Sequence, residues 1–185
     1  MSVLTDYDRA ATVVQELLGD LTSRQYEAPT PCTGWNVRQL LDHLVRGQLW
    51  TNAVLNGRPL PDRSVDRLGA DPAAAFAAAV ATTRTVFAAP GMLERITSTP
   101  YGDLPGTTIV QMRIHEFLVH GWDLARATGR STDLEPELAS AALQQLQTRM
   151  VGKPRDPSAF AAEQPAPPTA TAADRLAAYL GRQVT

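Results

Sequence analysis

The chain has 185 residues, with 17 basic and 19 acidic side chains and a formal net charge of -2. This length predicts one domain, residues 1–185, with a substantial hydrophobic core. The near-neutral charge argues against a nucleic-acid-binding protein, and the apolar runs are too short to span a bilayer. Because the segment from Met1 to Asp20 lacks the basic and apolar regions of a signal peptide, we expect a cytoplasmic protein.

Few residues in the chain could bind a metal ion. The single cysteine, Cys32, excludes an internal disulfide and any thiolate-rich zinc site. A metal site would therefore have to be built from carboxylates and the three histidines, His43, His115 and His120.

The first part of the chain predicts two helices. Apolar residues at spacings of three and four predict an amphipathic helix over 5–21, and the prolines and glycine of 29–34 end it. Asn36 is a good N-cap residue, and it predicts a second helix that runs to about Leu55.

The middle of the chain predicts two further helices with a loop between them. Asp71, which is followed by a proline, predicts the N-cap of a helix over 73–88. Prolines and glycines in 92–106 predict an ordered loop, in which any strand would be short. A fourth helix is predicted over 108–128, and Gly129 is its expected C-terminal stop.

The last part of the chain predicts a fifth helix over 136–150, a proline-rich loop over 151–170 and a short helix over 172–180. No segment alternates between apolar and polar residues as a strand would, so the predicted class is all-α. Four long helices favour a four-helix bundle with additional short helices. The alanine-rich face at 73–81 could form a homodimer.

A polar stripe on the predicted fourth helix is the main candidate for chemistry. Arg113, Glu116, His120 and Asp123 follow one another at spacings of three and four and share one face. One interpretation is a solvated face with an ordinary Glu116–His120 pair. The other includes His43, which lies beside the apolar face of the second helix. Two imidazoles and one carboxylate converging from two helices would leave an open position, as in catalytic zinc sites.

We expect different roles for two residues close to these candidate ligands, His115 and Asp123. His115 points about 100° away from Glu116 around the helix, so we expect a packed or hydrogen-bonded histidine that does not share the metal. Asp123 could be a fourth ligand, but we favour a hydrogen bond that orients one of the ligands, or a pair with Arg126 at the end of the helix.

Candidate substrate-binding residues lie on the same helix faces as the predicted ligands. Gln39, Arg46 and Trp50 share the face of His43 on the second helix, and Arg113 precedes Glu116. Either arginine could hold an anionic group, and both could equally be structural. Trp50 could be a pocket wall or part of the core. Outside these faces, the tryptophans at positions 35 and 122 and the cysteine at 32 are predicted to be packing residues.

Three stretches of the sequence resemble a known family. They are TPCTGWNVRQLLDHL from Thr30, EFLVHGWDLARATG from Glu116, and DRLAAYLGR from Asp174. The first two are similar to motifs of the mycothiol-dependent maleylpyruvate isomerase N-terminal domain family, whose members are DinB/YfiT-like metal-binding helical bundles. The third resembles the tail of its actinobacterial branch. A GC-rich genome is also indicated, since 16 of the 17 basic residues are arginine.

The resemblance implies one divalent metal ion, zinc or nickel, bound by His43, Glu116 and His120. It further implies mycothiol as the thiol and a small electrophilic substrate, so we expect a metal-dependent thiol S-transferase or isomerase-like enzyme. The isomerase itself carries a further C-terminal domain, for which this chain is too short. Two alternatives stay open, a non-catalytic metal-binding stress or sensor module and a metal-dependent hydrolase.

Overall fold

The structure, a computed structural model, describes residues 2–62, 64–151, 155 and 161–184. Six α-helices, one short 3-10 helix (Gln25–Glu27) and one β-hairpin make up the regular structure of these residues. The helices are α1 (Val3–Gly19), α2 (Val37–Leu55), α3 (Pro72–Phe87), α4 (Gly106–Thr128), α5 (Pro136–Met150) and α6 (Ala172–Tyr179). The predicted all-α class is confirmed.

The first four helices form a closed bundle. Helix α1 packs against α3 and α4, and α2 packs against the same two helices. Helices α5 and α6 pack against each other on the outside, and α6 also contacts α4. Buried aromatic rings fill the bundle, with centroids 5.4 to 5.6 Å apart and mostly edge-to-face geometry. These rings belong to Tyr7, Phe76, Phe87 and Phe117.

The predicted helix ends are set by local capping. The Asn36 side chain accepts a hydrogen bond from the backbone of Gln39, whose own side chain bonds back to the backbone of Asn36. Asp71 caps α3 through the backbone of Ala74. Gly129 ends α4 in a left-handed conformation with φ of 71°. Because these signals are local, the predicted ends agree with the structure to within about two residues.

A short hairpin connects α3 to α4. Its strands β1 (Ile96–Thr99) and β2 (Gly102–Pro105) are antiparallel, with Ile96 opposite Pro105, and they contact α2 and α4. The sequence predicted a loop here with at most a short strand, since strands of four residues are too short for a readable alternation. Part of the loop predicted over 151–170 lies outside the described residues. None of the described helices is long and apolar enough to cross a membrane.

Candidate metal centre

Three potential metal ligands from two helices meet between α2 and α4. The Nε2 atom of His43 lies 2.7 Å from Oε2 of Glu116, and Nε2 of His120 lies 3.5 Å from the same oxygen. One donor atom of each residue lies within 4.8 Å of the other two. Glu116 and His120 are one helical turn apart, so their side chains point from α4 toward α2 together.

The donor set fits a small divalent cation. Two imidazoles and one carboxylate are the protein ligands of many catalytic zinc sites, and imidazole also suits nickel. With metal–ligand bonds of about 2.1 Å, the ligand atoms around a tetrahedral ion lie roughly 3.3 Å apart. The two separations of 2.7 and 3.5 Å bracket this value, so small side-chain movements would be enough to admit an ion.

A buried acid holds one of these histidines in place. Asp123 is fully buried, and its Oδ2 lies 2.9 Å from Nδ1 of His120. Arg182 donates to both carboxylate oxygens of Asp123, at 2.9 and 3.2 Å. The predicted alternative partner, Arg126, instead lies over the ring of Trp122, 5.6 Å from its centroid.

Electrostatics favours a positive charge at this point. Burial would raise the pKa of Glu116, but hydrogen bonds with His120 and His43 hold that pKa well below its usual value. Burial would lower the pKa of His120, but hydrogen bonds to Asp123 and Glu116 raise it to about 9. Without a metal, a proton on His120 therefore sits between two carboxylates, where a cation would also be stabilised.

An aromatic ring covers the two histidines. The ring centroid of Trp35 lies 4.8 Å from that of His43 and 6.0 Å from that of His120. Cys32 is half-buried nearby, and its sulfur lies within 4.8 Å of donor atoms of His120 and Asp123. Burial raises the pKa of the Cys32 thiol, so the start of α2 does not activate it.

The polar stripe of α4 is not a solvated face. Arg113, His120 and Asp123 are all buried, and Glu116 is half-buried. His115 points elsewhere, as predicted, and its Nε2 lies 3.2 Å from Oε1 of Gln145 on α5.

The predicted substrate-binding residues divide into two pairs. Gln39 is exposed and belongs to the cap of α2, and Arg46 is engaged by Asp42 and by the carbonyl of Val65. Trp50 and Arg113 come together between α2 and α4, with the guanidinium carbon 6.0 Å from the ring centroid of Trp50.

Two residues of the centre were missed by sequence reasoning. The sequence predicts a packing role for Trp35, although this residue lies within the TPCTGWNVRQLLDHL motif. Arg182 was given no role, although it ends the third motif, and it lies 59 residues from Asp123 in sequence. Only the family motifs could have indicated these two residues, because spacing along one helix does not reveal partners that are distant in sequence.

The fold and these side chains define a helical-bundle domain with a candidate centre of two histidines and one glutamate. The family model described as the mycothiol maleylpyruvate isomerase N-terminal domain matches residues 7–125. The chain therefore belongs to this family, and the resemblance drawn from its motifs is confirmed.

Relatives and a solved structure agree with this assignment. Two relatives from Mycobacterium tuberculosis, from strains CDC 1551 / Oshkosh and H37Rv, are each 38% identical over 194 residues and match across 100% of both chains. Both are described as uncharacterized. The crystal structure of a histidine-to-alanine mutant of mycothiol-dependent maleylpyruvate isomerase matches with a TM-score of 0.61 and 15% identity, over 83% of this chain and 72% of that chain. At this identity the match shows a shared fold.

Proposed function

We propose that this chain is a divalent-metal-dependent enzyme that adds a low-molecular-weight thiol to an electrophilic substrate, or uses the thiol to isomerise it. The proposal depends above all on one observation, that donor atoms of His43, Glu116 and His120 lie within 4.8 Å of one another. Family membership and the fold shared with a mycothiol-dependent isomerase support mycothiol as the thiol.

In this proposal His43, Glu116 and His120 hold one zinc or nickel ion and leave a position open for a ligand. A bound divalent ion supplies positive charge that lowers the pKa of a coordinated thiol and favours the nucleophilic thiolate.

Asp123 orients His120 for this role. The pKa of Asp123 is lowered, because hydrogen bonding to His120 and the charge of Arg182 outweigh its burial, so the group is an anion that can only accept. The proton of the neutral imidazole then lies on Nδ1, and Nε2 is left free to bind the ion. Arg182 balances the buried charge of Asp123.

Trp35 excludes water from one side of the centre. Its ring packs on both imidazoles and is itself half-buried. A less hydrated site strengthens the interaction between the ligands and a bound cation.

Metal analysis of the purified protein tests the site. We expect one equivalent of zinc or nickel in the wild type, and loss of at least about tenfold in affinity in His43→Ala, Glu116→Ala and His120→Ala. His115→Ala is the matched control, because it removes a buried histidine from the same helix without touching the donor set. Stoichiometric metal in all three ligand variants would refute the assignment.

A thiol assay tests the reaction. The metal-loaded protein is mixed with a generic electrophile and mycothiol, bacillithiol or glutathione, and loss of the free thiol is followed. We expect turnover with mycothiol that is abolished by chelation. If no thiol reacts, ester hydrolysis by the loaded protein would support a hydrolase, and inactivity in both assays would support a metal-binding module.

A further inference from the structure

Arg113 is a buried cation for which the described residues provide an aromatic neighbour, Trp50, but no hydrogen-bond or ion-pair partner. The residue is only 8% exposed, and its Nε atom is buried without a hydrogen bond. Within the described ranges, 2–62, 64–151, 155 and 161–184, no ion pair or hydrogen bond satisfies its guanidinium. Buried arginines normally bind carboxylates or phosphates through two parallel N–H bonds, and unsatisfied buried charged donors are costly.

The surroundings of Arg113 are shaped around its guanidinium. A Cβ atom at Gly47 would lie 2.3 Å from Nη1, so glycine on α2 leaves the space that the arginine fills. Trp50 lies beside the guanidinium, whose carbon is 6.0 Å from the ring centroid, and the ring of Trp50 is 5.9 Å from that of Tyr101 in the hairpin. Nη1 faces α2, and Nε is left buried without a hydrogen bond.

The candidate metal ligands and Arg113 lie on the same two helices. Partly exposed residues on these helices include His43, Gly47, Trp50 and Glu116. Glu116 does not satisfy the hydrogen-bonding groups of Arg113, since its carboxylate is held by two histidines and acts on Arg113 only through its charge.

We propose that Arg113 is an anion-binding residue that takes a carboxylate or phosphate group of the electrophilic substrate. This deepens the proposed function and rests on it for the identity of the ligand. Arg113 precedes Glu116 by three residues, or about 4.5 Å along the helix. The substrate class is therefore a small electrophile that carries an anionic group close to its reacting atom.

Anion binding is measured first. Metal-saturated protein is titrated with acetate or inorganic phosphate in place of chloride at constant ionic strength, and tryptophan fluorescence and Tm are recorded. We expect saturable binding in the wild type that weakens about tenfold or more in Arg113→Gln and less in Arg113→Lys, which keeps the charge but loses the planar fork. The anion that binds more tightly shows whether the substrate group is a carboxylate or a phosphate.

Two further variants separate an anion site from a structural arginine. Gly47→Ala keeps the charge but displaces the guanidinium, so it should also weaken binding. Arg38→Gln removes an arginine of α2 that pairs with Asp66, and it should bind like the wild type. No saturable binding, or equal binding in the wild type, Arg113→Gln and Gly47→Ala, would overturn the proposal.

Turnover with paired electrophiles is measured second. One maleimide carries a short carboxylate arm, and the other has a neutral arm of the same length. We expect the wild type to prefer the acid, mainly through a lower KM, and Arg113→Gln to lose about tenfold of that preference. If the wild type and Arg113→Gln prefer the acidic maleimide equally, the anion subsite is refuted but the proposed function is not. If anion binding depends on Arg113 and no turnover is found with either maleimide, the proposed function is refuted but the anion subsite is not.

Discussion

Replacing Asp123 with asparagine should lower both the stability of the protein and the metal affinity of the candidate centre. Asp123 is 0% exposed, and its two oxygens bind Arg182 and Nδ1 of His120 at 2.9 to 3.2 Å. Asparagine keeps the shape but loses the charge, and its amide group brings a donor toward two other donors. The substitution therefore leaves a cation, only 12% exposed in its side chain, without its counter-ion.

The sizes of the expected losses in stability and in metal affinity follow from this arrangement. Removing one partner of a buried ion pair costs about 3–5 kcal/mol, a large part of the roughly 5–15 kcal/mol that stabilises a typical domain. Removing the acid that orients a metal-bound histidine lowers metal affinity about 10- to 100-fold. We expect both effects in Asp123→Asn.

The assay is urea unfolding of the metal-free protein, together with a competitive metal titration. The matched variants are Arg182→Gln and the double variant Asp123→Asn/Arg182→Gln. Because the two residues interact directly, the double variant should be more stable than the sum of the single effects predicts, by about 1 kcal/mol or more.

Additive effects in this cycle would refute the account of the Asp123–Arg182 pair. Unchanged metal affinity in Asp123→Asn, with a normal fold, would refute the role of Asp123 in orienting His120. The two outcomes are independent, since stability is measured without metal.

Two other sites give further predictions. Gly106→Ala should destabilise the protein by about 1–3 kcal/mol in urea unfolding, because its Cβ would lie 2.0 Å from the carbonyl oxygen of Met92. Gly19→Ala, where the Cβ has open space, is the control, and equal losses would contradict this reasoning. Burial lowers the pKa of His115 to about 4, so between that pH and about 6.5 the unfolded chain binds a proton that the folded chain does not. This residue should therefore lower the free energy of unfolding by about 2 kcal/mol on going from pH 8 to pH 5. The free energy of unfolding of His115→Gln should depend less on pH over this range than that of the wild type. The same pH dependence in both proteins would contradict the lowered pKa of His115.

The sequence predicts those parts of the fold that depend on neighbouring residues. The caps at Asn36 and Asp71 and the stop at Gly129 act within one helical turn, so the helix ends could be read directly. The donor set combined a spacing of four on α4 with the position of His43 beside the apolar face of α2, and the family motifs then supported it. Spacing on α4 alone favoured a solvated stripe.

The rest of the centre depends on distant contacts. For Asp123 the sequence offered Arg126 as a partner, because they share a helix, whereas the structure selects Arg182. Trp35 reaches the histidines only after the loop before α2 folds back, through the backbone pairing of Thr30 with the carbonyl of Trp35. Such partners are decided by packing between helices, which a local pattern does not contain.

The position of α4 has a consequence for hydrogen exchange. This helix is buried along most of its length and packs against α1, α2 and α6, so its amide protons can exchange only when the whole bundle opens. The hairpin before it is largely exposed and should exchange by local opening. Arg113, Glu116 and His120 are thus carried by the part of the molecule that opens least, while the hairpin that precedes this helix opens locally.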